Sequence, residues 1–190
     1  MVYEALSCLT DEINEYFRNK LRINEDKAIL SGIINQDGTI AIQGENKIVI
    51  TLVNIEKEIT GKSNAGGISG GSMANKSPSM NINLYVLFSA YFSSNNYPEA
   101  LRFLSFIMAY FQYKNVFTPA NTPRLDNGID KLVFEIASIT PEQLNNIWGS
   151  IGAKYMPSVI YKMRMLTFDE SIIKEFRPVV SGINSDNSIK

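Results

Sequence analysis

The chain has 190 residues, of which 45% are apolar and 19% are charged, and its 18 basic residues nearly balance 19 acidic ones. This length and apolar fraction are typical of one folded domain, and the formal charge of −1 argues against a nucleic-acid partner, which would need a basic surface. With no His and one Cys, the sequence offers no imidazole base, no disulfide and no Cys-rich metal site, so no cofactor is expected and most enzyme classes are excluded.

No stretch of the sequence has the pattern of a targeting or membrane segment. Residues 1–5 do not begin a basic region followed by a long apolar one. The most apolar window, residues 103–111, is far shorter than the ~20 residues that a bilayer span needs. We therefore expect a soluble protein that assembles in the cytoplasm and does not insert directly into a membrane.

The N-terminal part of the chain predicts a helix followed by β structure. Apolar residues recur at three- to four-residue steps over residues 2–21, which is typical of an amphipathic helix of about five turns. Cys8 lies beside this stripe and is expected to be a core-edge residue rather than a nucleophile. Residues 28–42 combine β-rich stretches with an Asn-Gln-Asp-Gly turn. Residues 47–55 predict a long strand whose apolar residues fall on both faces, so both faces should be partly covered.

A segment rich in small residues follows. Residues 61–79 contain five Gly and five Ser, too little apolar area to offset the entropy of ordering. We expect this segment to be mobile in the isolated chain, as either a tolerated insertion or a segment that orders on assembly. The Gly-Lys-Ser at its start resembles the end of a phosphate-binding loop. Glu56 stands where that loop needs a Gly and no helix pattern follows, so nucleotide binding is not expected.

The central part predicts a strand and a helix with unusual apolar coverage. Residues 81–92 alternate strictly and predict a strand in the middle of the sheet. Residues 97–113 predict a helix with two apolar stripes, where a surface helix of a monomer normally has one. The stripes comprise Leu101, Leu104, Met108 and Phe111, and Phe103, Phe106, Ile107 and Tyr110. The second stripe would meet either more of the same domain or another subunit, and we take it as a candidate interface.

The C-terminal part predicts a short helix between two strands. Thr140 and Gln143 have the spacing of a capping box, and Gly149 is the expected end of the helix that they open. The sequence also predicts a connection over 116–128 and strands over 130–138 and 158–168. The predicted domain spans 1–175, followed by a polar C-terminal tail over 176–190.

Two groups of side chains could carry chemistry, and each has a plainer account. Glu56 and Glu58 would share one strand face, close enough for acid–base work, although solvated carboxylates at a strand end are commoner. Trp148, Tyr155 and Tyr161 could stack on a ligand ring, although core packing is commoner.

Two basic residues project from one face of the last strand. Lys162 and Arg164 either guard an edge strand against unwanted pairing or point into the lumen of a ring. They complete the candidate interface residues, which are Phe103, Phe106, Ile107, Tyr110, Lys162 and Arg164.

Three stretches together resemble a known family: residues 3–16, residues 84–92 with 97–104, and residues 144–162. They are similar to the N-terminal domain of the tail-terminator, or cap, proteins of extracellular contractile injection systems. These phage-tail-like particles include the antifeeding-prophage and virulence-cassette types. The likeness spans roughly residues 1–170.

The resemblance implies a fold, a function and a set of partners. The fold is a single α+β domain, similar to phage tail terminators, with a mixed, mainly antiparallel β-sheet flanked by helices. The function is a structural cap, a hexameric ring that ends the inner tube and the contractile sheath and couples them. The partners are further copies of the chain, the inner-tube protein and the sheath protein, in a particle that is released from the cell or held at a membrane. No catalytic residues come with the family.

Two other functions stay open. A small non-enzymatic adaptor or binding module could have the same sheet-and-helix architecture, and a stable monomer with one soluble ligand would identify it. An enzyme would have to depend on carboxylates such as Glu56 and Glu58.

Overall fold

The computed structural model describes residues 1–58 and 81–167. The predictions of a mobile segment over 61–79 and of a tail over 176–190 lie outside these residues. Within them the chain forms three helices, a short 3-10 turn and one six-stranded sheet. The predicted α+β class, with a mixed and mainly antiparallel sheet, is confirmed.

The strands of the sheet do not follow chain order. In space the order is β1-β2-β3-β6-β5-β4. β1 pairs with β2 in parallel, and every other pairing is antiparallel. The strands are β1 (Ala28–Leu30), β2 (Lys47–Lys57), β3 (Asn81–Tyr91), β4 (Val116–Phe117), β5 (Ile129–Ile136) and β6 (Ser158–Thr167). The alternating run that predicted a central strand is β3, which lies between β2 and β6 as expected.

Two long helices cover one face of the sheet. They are α1 (Val2–Leu21) and α2 (Tyr97–Tyr113), close to the predicted bounds. Their apolar faces enter one core with the sheet; the Phe17 ring meets Phe103 edge-on at 5.1 Å between centroids, and the Phe111 ring stacks on Phe134 at 4.6 Å. Aromatic side chains pack between the helices and this face of the sheet, which we call the helix face.

Polar contacts fix α1 and the turn after it to the sheet. The buried Asn14 amide donates to the Ala28 carbonyl at 2.9 Å and accepts from the Ala28 amide at 2.8 Å. Glu25 accepts from Lys27 at 2.8 Å and from Lys47 at 2.6 Å. These hydrogen bonds, followed by the two lysine charges, lower the pKa of Glu25 to about 2. The chain is thereby held at the start of β1 and β2.

The opposite face of the sheet is covered by shorter elements than α1 and α2. A third helix, α3 (Pro141–Ile151), and a small hairpin over 33–41 pack there around Trp148, Leu87 and Ile160. The predicted capping box is confirmed, since the Thr140 hydroxyl accepts from the Gln143 amide at 3.3 Å. We call this side the α3 face.

Two predicted boundaries were wrong. The third helix runs past Gly149 to Ile151, and Gly152, with a φ of 75°, provides the left-handed cap. The segment over 116–128 was expected to be connection only, but it begins with β4, a two-residue strand paired with β5. None of the helices in the described ranges is long and apolar enough to cross a membrane.

Candidate interaction surface

The six candidate interface residues do not form one surface. Phe103, Ile107 and Tyr110 are 4%, 0% and 5% exposed, because α2 turns this stripe toward α1 and the sheet. They are core residues of the subunit and are not available to a neighbour while the domain is folded. Phe106 is half-buried, with its ring 6.1 Å from that of Phe103. A contact on α2 must therefore use the other side of the helix.

The outward side of α2 carries part of the other predicted stripe, which was not among the candidate interface residues. Leu101 and Met108 are 43% and 42% exposed, and Tyr113 at the end of the helix is 89% exposed. Leu101 and Met108 are seven residues apart and lie one above the other on the helix surface. Together with Ser105 and Gln112 between and beyond them, they form a surface that we call the α2 outer row.

Lys162 and Arg164 lie on the opposite side of the sheet. They share the α3 face with Ile160, because side chains two residues apart in a strand point to the same face. β6 lies between β3 and β5, so the prediction that these two charges guard a sheet edge was wrong. They are instead part of a polar patch on the α3 face, in the middle of the sheet rather than at its edge.

Two rows of polar side chains cross the sheet at this patch. Lys162 stands between Tyr85 on β3 and Glu135 on β5, and Asn54 on β2 continues its row. Arg164 stands beside Asn83, and Glu56 continues that second row. The members of the first row are Asn54, Tyr85, Lys162 and Glu135. The members of the second row are Glu56, Asn83 and Arg164, which ends beside the apolar Val133 on β5.

The two glutamates of β2 each have a different partner. Glu56 accepts a hydrogen bond from the Tyr85 hydroxyl at 3.0 Å, and burial followed by this contact raises the pKa of Tyr85. Glu58 Oε1 lies 2.8 Å from Arg164 Nε as an ion pair, although the angle is not that of a hydrogen bond. The two carboxylates therefore do not form the coupled pair that acid–base chemistry would use.

A groove of about 610 Å³ opens between this patch and α3. It combines an apolar wall with a charged floor. The apolar residues include Val53, Ile147 and Ile160, and the charged ones are Glu56, Glu135 and Lys162. Such a surface suits a polypeptide side chain or segment, since it offers both apolar contact and charge.

The aromatic cluster predicted near Trp148 is only partly assembled. The Trp148 and Tyr155 rings meet edge-on at 5.8 Å. Tyr161 is on the helix face, where its ring lies 4.4 Å from that of Phe111. The three side chains cannot stack on one ligand ring.

Cys8 and the acidic residues show no catalytic arrangement. Cys8 is buried, and burial raises the pKa of its thiol, which makes it a poor nucleophile. Over residues 1–58 and 81–167, no three His, Cys, Asp or Glu residues come together as a metal site would require.

Comparison with known proteins gives a matching family and several similar chains among solved structures. The family described as the Pvc16 N-terminal domain matches residues 5–182. A comparison with curated protein sequences finds no match.

Two of the similar structures belong to injection particles. The sheath/tube terminator of PVC, an extracellular contractile injection system in its extended state, is 14% identical with a TM-score of 0.59, over 100% of this chain and 65% of that one. The tube-terminating cap of the anti-feeding prophage is 16% identical with a TM-score of 0.56, over 93% of this chain and 60% of that one. The chain thus spans less than two thirds of either protein. Since the family match covers most of the sequence, the chain belongs to the Pvc16 N-terminal domain family.

Proposed function

We propose that this protein is a structural terminator of a contractile injection particle. It forms a hexameric ring at the end of the inner tube and the sheath, stops further polymerisation of both and couples them. The family match over residues 5–182 carries the proposal, and the fold shared with a sheath/tube terminator and a tube cap supports it. Assembly takes place in the cytoplasm, in a particle that is then released or held at a membrane.

The two-sided architecture suits a ring subunit. Copies that associate head to tail need two different surfaces, and a closed rotation of such contacts gives a ring. The α2 outer row and the groove beside α3 are on opposite sides of the sheet. We assign the ring contact on α2 to Leu101 and Met108, since the stripe expected there is buried in the subunit.

Electron microscopy of the purified chain and of particles tests this function. We expect rings in the purified protein, and over-long or uncapped tubes and sheaths in particles assembled without it. Met108→Asp should abolish the rings while leaving a folded subunit, because Met108 is exposed. Asn127→Asp, the same added charge in the exposed loop before β5, should leave them intact. Particles of normal length and capping without the protein would contradict the terminator function, and a monomer with one high-affinity soluble ligand would identify an adaptor instead.

A further inference from the structure

We propose that the outer edge of β2, from Leu52 to Lys57, binds an extended segment of another polypeptide of the particle by strand addition. The segment carries a basic residue next to apolar ones. This inference deepens the proposed function and rests on it, because the partner is sought among the proteins that the terminator contacts.

The first observation is that β1 is much shorter than β2. β1 pairs only with Ile48–Ile50 of β2, and the last backbone bond on that side runs from the Ser31 amide to the Ile50 carbonyl at 3.1 Å. Beyond it, no backbone group of the described residues pairs with the outer edge of β2. A strand edge left open in this way is a template for another strand.

The register shows which groups point outward. The Ile48 amide bonds outward to the Lys27 carbonyl at 2.7 Å, and the Glu58 amide bonds inward to the Asn81 carbonyl at 3.0 Å. Residues of an antiparallel pair alternate between inward and outward bonding, and the irregularity between Leu52 and Asn54 shifts the alternation by one. The outward groups of the open stretch therefore belong to Leu52 before the irregularity and to Ile55 and Lys57 after it.

The second observation is an apolar groove beside the same edge. A volume of about 340 Å³ lies between the edge and α3, lined by residues that include Leu52, Val53, Ile147 and Ile151. On the other flank Ile55 is 52% exposed. An added strand would place alternate side chains on these two flanks, so neighbouring apolar residues of the segment would cover the groove and Ile55.

The third observation is charge. Glu56 is exposed on the α3 flank of the edge and, among the described residues, has the Tyr85 hydroxyl as its partner rather than a cation. A basic side chain opposite Glu56 on an added strand would form a favourable cross-strand pair with its carboxylate. At the other end of the sheet β4 pairs with Leu132 and Val133 of β5, and Glu135 and the exposed Ile136 lie beyond that pairing. Pairing of Glu56 with this part of β5 in a second copy would bring carboxylates together. The charges favour a basic partner segment over a copy of this chain.

Amide hydrogen exchange on the full chain, free and in assembled particles, tests the inference. In the free chain we expect the Ile55 and Lys57 amides to exchange at least about 10-fold faster than those of Asn54 and Glu56, and in particles to slow by at least about 10-fold. Glu56→Lys should abolish this protection in the particle. Glu45→Lys, the same charge change in the exposed turn before β2, should not.

Three results would overturn the inference. Slow exchange of Ile55 and Lys57 in the free chain would mean that another part of the chain already covers the edge. Equally fast exchange in particles that contain the chain would refute strand addition and leave the terminator function standing. Absence of the chain from particles would refute the function, and the inference with it.

Discussion

The contact between Asn14 and β1 allows a quantitative prediction. Asn14 is 5% exposed in the middle of α1, and its amide exchanges two hydrogen bonds with the backbone of Ala28 at 2.9 and 2.8 Å. Asn14→Ala removes both partners at once. The Ala28 amide and carbonyl would then be buried without a partner unless β1 moves.

The expected loss of stability follows from three contributions. Each buried backbone group left unpaired costs about 1–3 kcal/mol. Ala is favoured over Asn in a helix interior by about 0.5 kcal/mol, which opposes the loss. Since β1 is a three-residue edge strand and can shift to admit water, we take the low end of the range for each group. Asn14→Ala should therefore lower the free energy of unfolding by about 1.5 kcal/mol, or the melting temperature by about 3–6 °C.

Urea unfolding followed by circular dichroism measures this change. Asn95→Ala is the matched control, because Asn95 is exposed and its side chain makes no hydrogen bond to the described residues; its change should stay within about 0.5 kcal/mol. The Ile48 amide, which bonds to the Lys27 carbonyl beside β1, should also exchange faster in Asn14→Ala. If both variants unfold at the same urea concentration, the two bonds to Ala28 do not stabilise the fold and the reasoning fails.

Three further changes test other parts of the structure. Ile107→Ala, at a fully buried position, should cost about 2–5 kcal/mol, whereas the exposed Met108→Ala should cost about 0.5 kcal/mol or less; equal losses in thermal melts would contradict the assigned orientation of α2. Thr140→Ala should cost about 1 kcal/mol through loss of the cap, and Thr140→Ser should restore it. The Lys27 ammonium, with a second lysine, lowers the pKa of Glu25 to about 2, so Glu25 stabilises the fold above its ordinary pKa and loses this effect as the pH falls toward 2. Acid titration of Glu25→Gln should accordingly show a shallower loss of stability between about pH 4.5 and 2.

Long periodic segments could be predicted from the sequence, and pairings between distant segments could not. The helix over 2–21 and the strand that became β3 each have one clear period, so local pattern alone places them. β4 has two residues, and only its partner on β5 makes it a strand. Local pattern carries no information about such a partner.

The candidate site was predicted less well for the same reason. Two apolar stripes on α2 look alike in a sequence, and only the positions of α1 and the sheet decide that Ile107 is core and Met108 is surface. Of the two interpretations of Lys162 and Arg164, the one as edge charges is wrong, because nothing local in the sequence shows that β6 enters between β3 and β5. The open edge of β2 was missed because it follows from the shortness of β1 rather than from any residue of β2.

The central place of β6 has a consequence for biosynthesis. β3 and β5 have no shared neighbour until residues 158–167 leave the ribosome, although both precede them in the chain. Pairing with β6 joins residues that are far apart in sequence, and between β3 and β6 the chain includes both α2 and α3. Contacts between residues so far apart in sequence slow folding. A nascent chain that stalls or is cleaved before residue 158 would contain two separate parts of the sheet. The edges of β3 and β5 that normally pair with β6 would then be unpaired. Until β6 is synthesised, the chain is therefore an incompletely folded intermediate that is prone to aggregation.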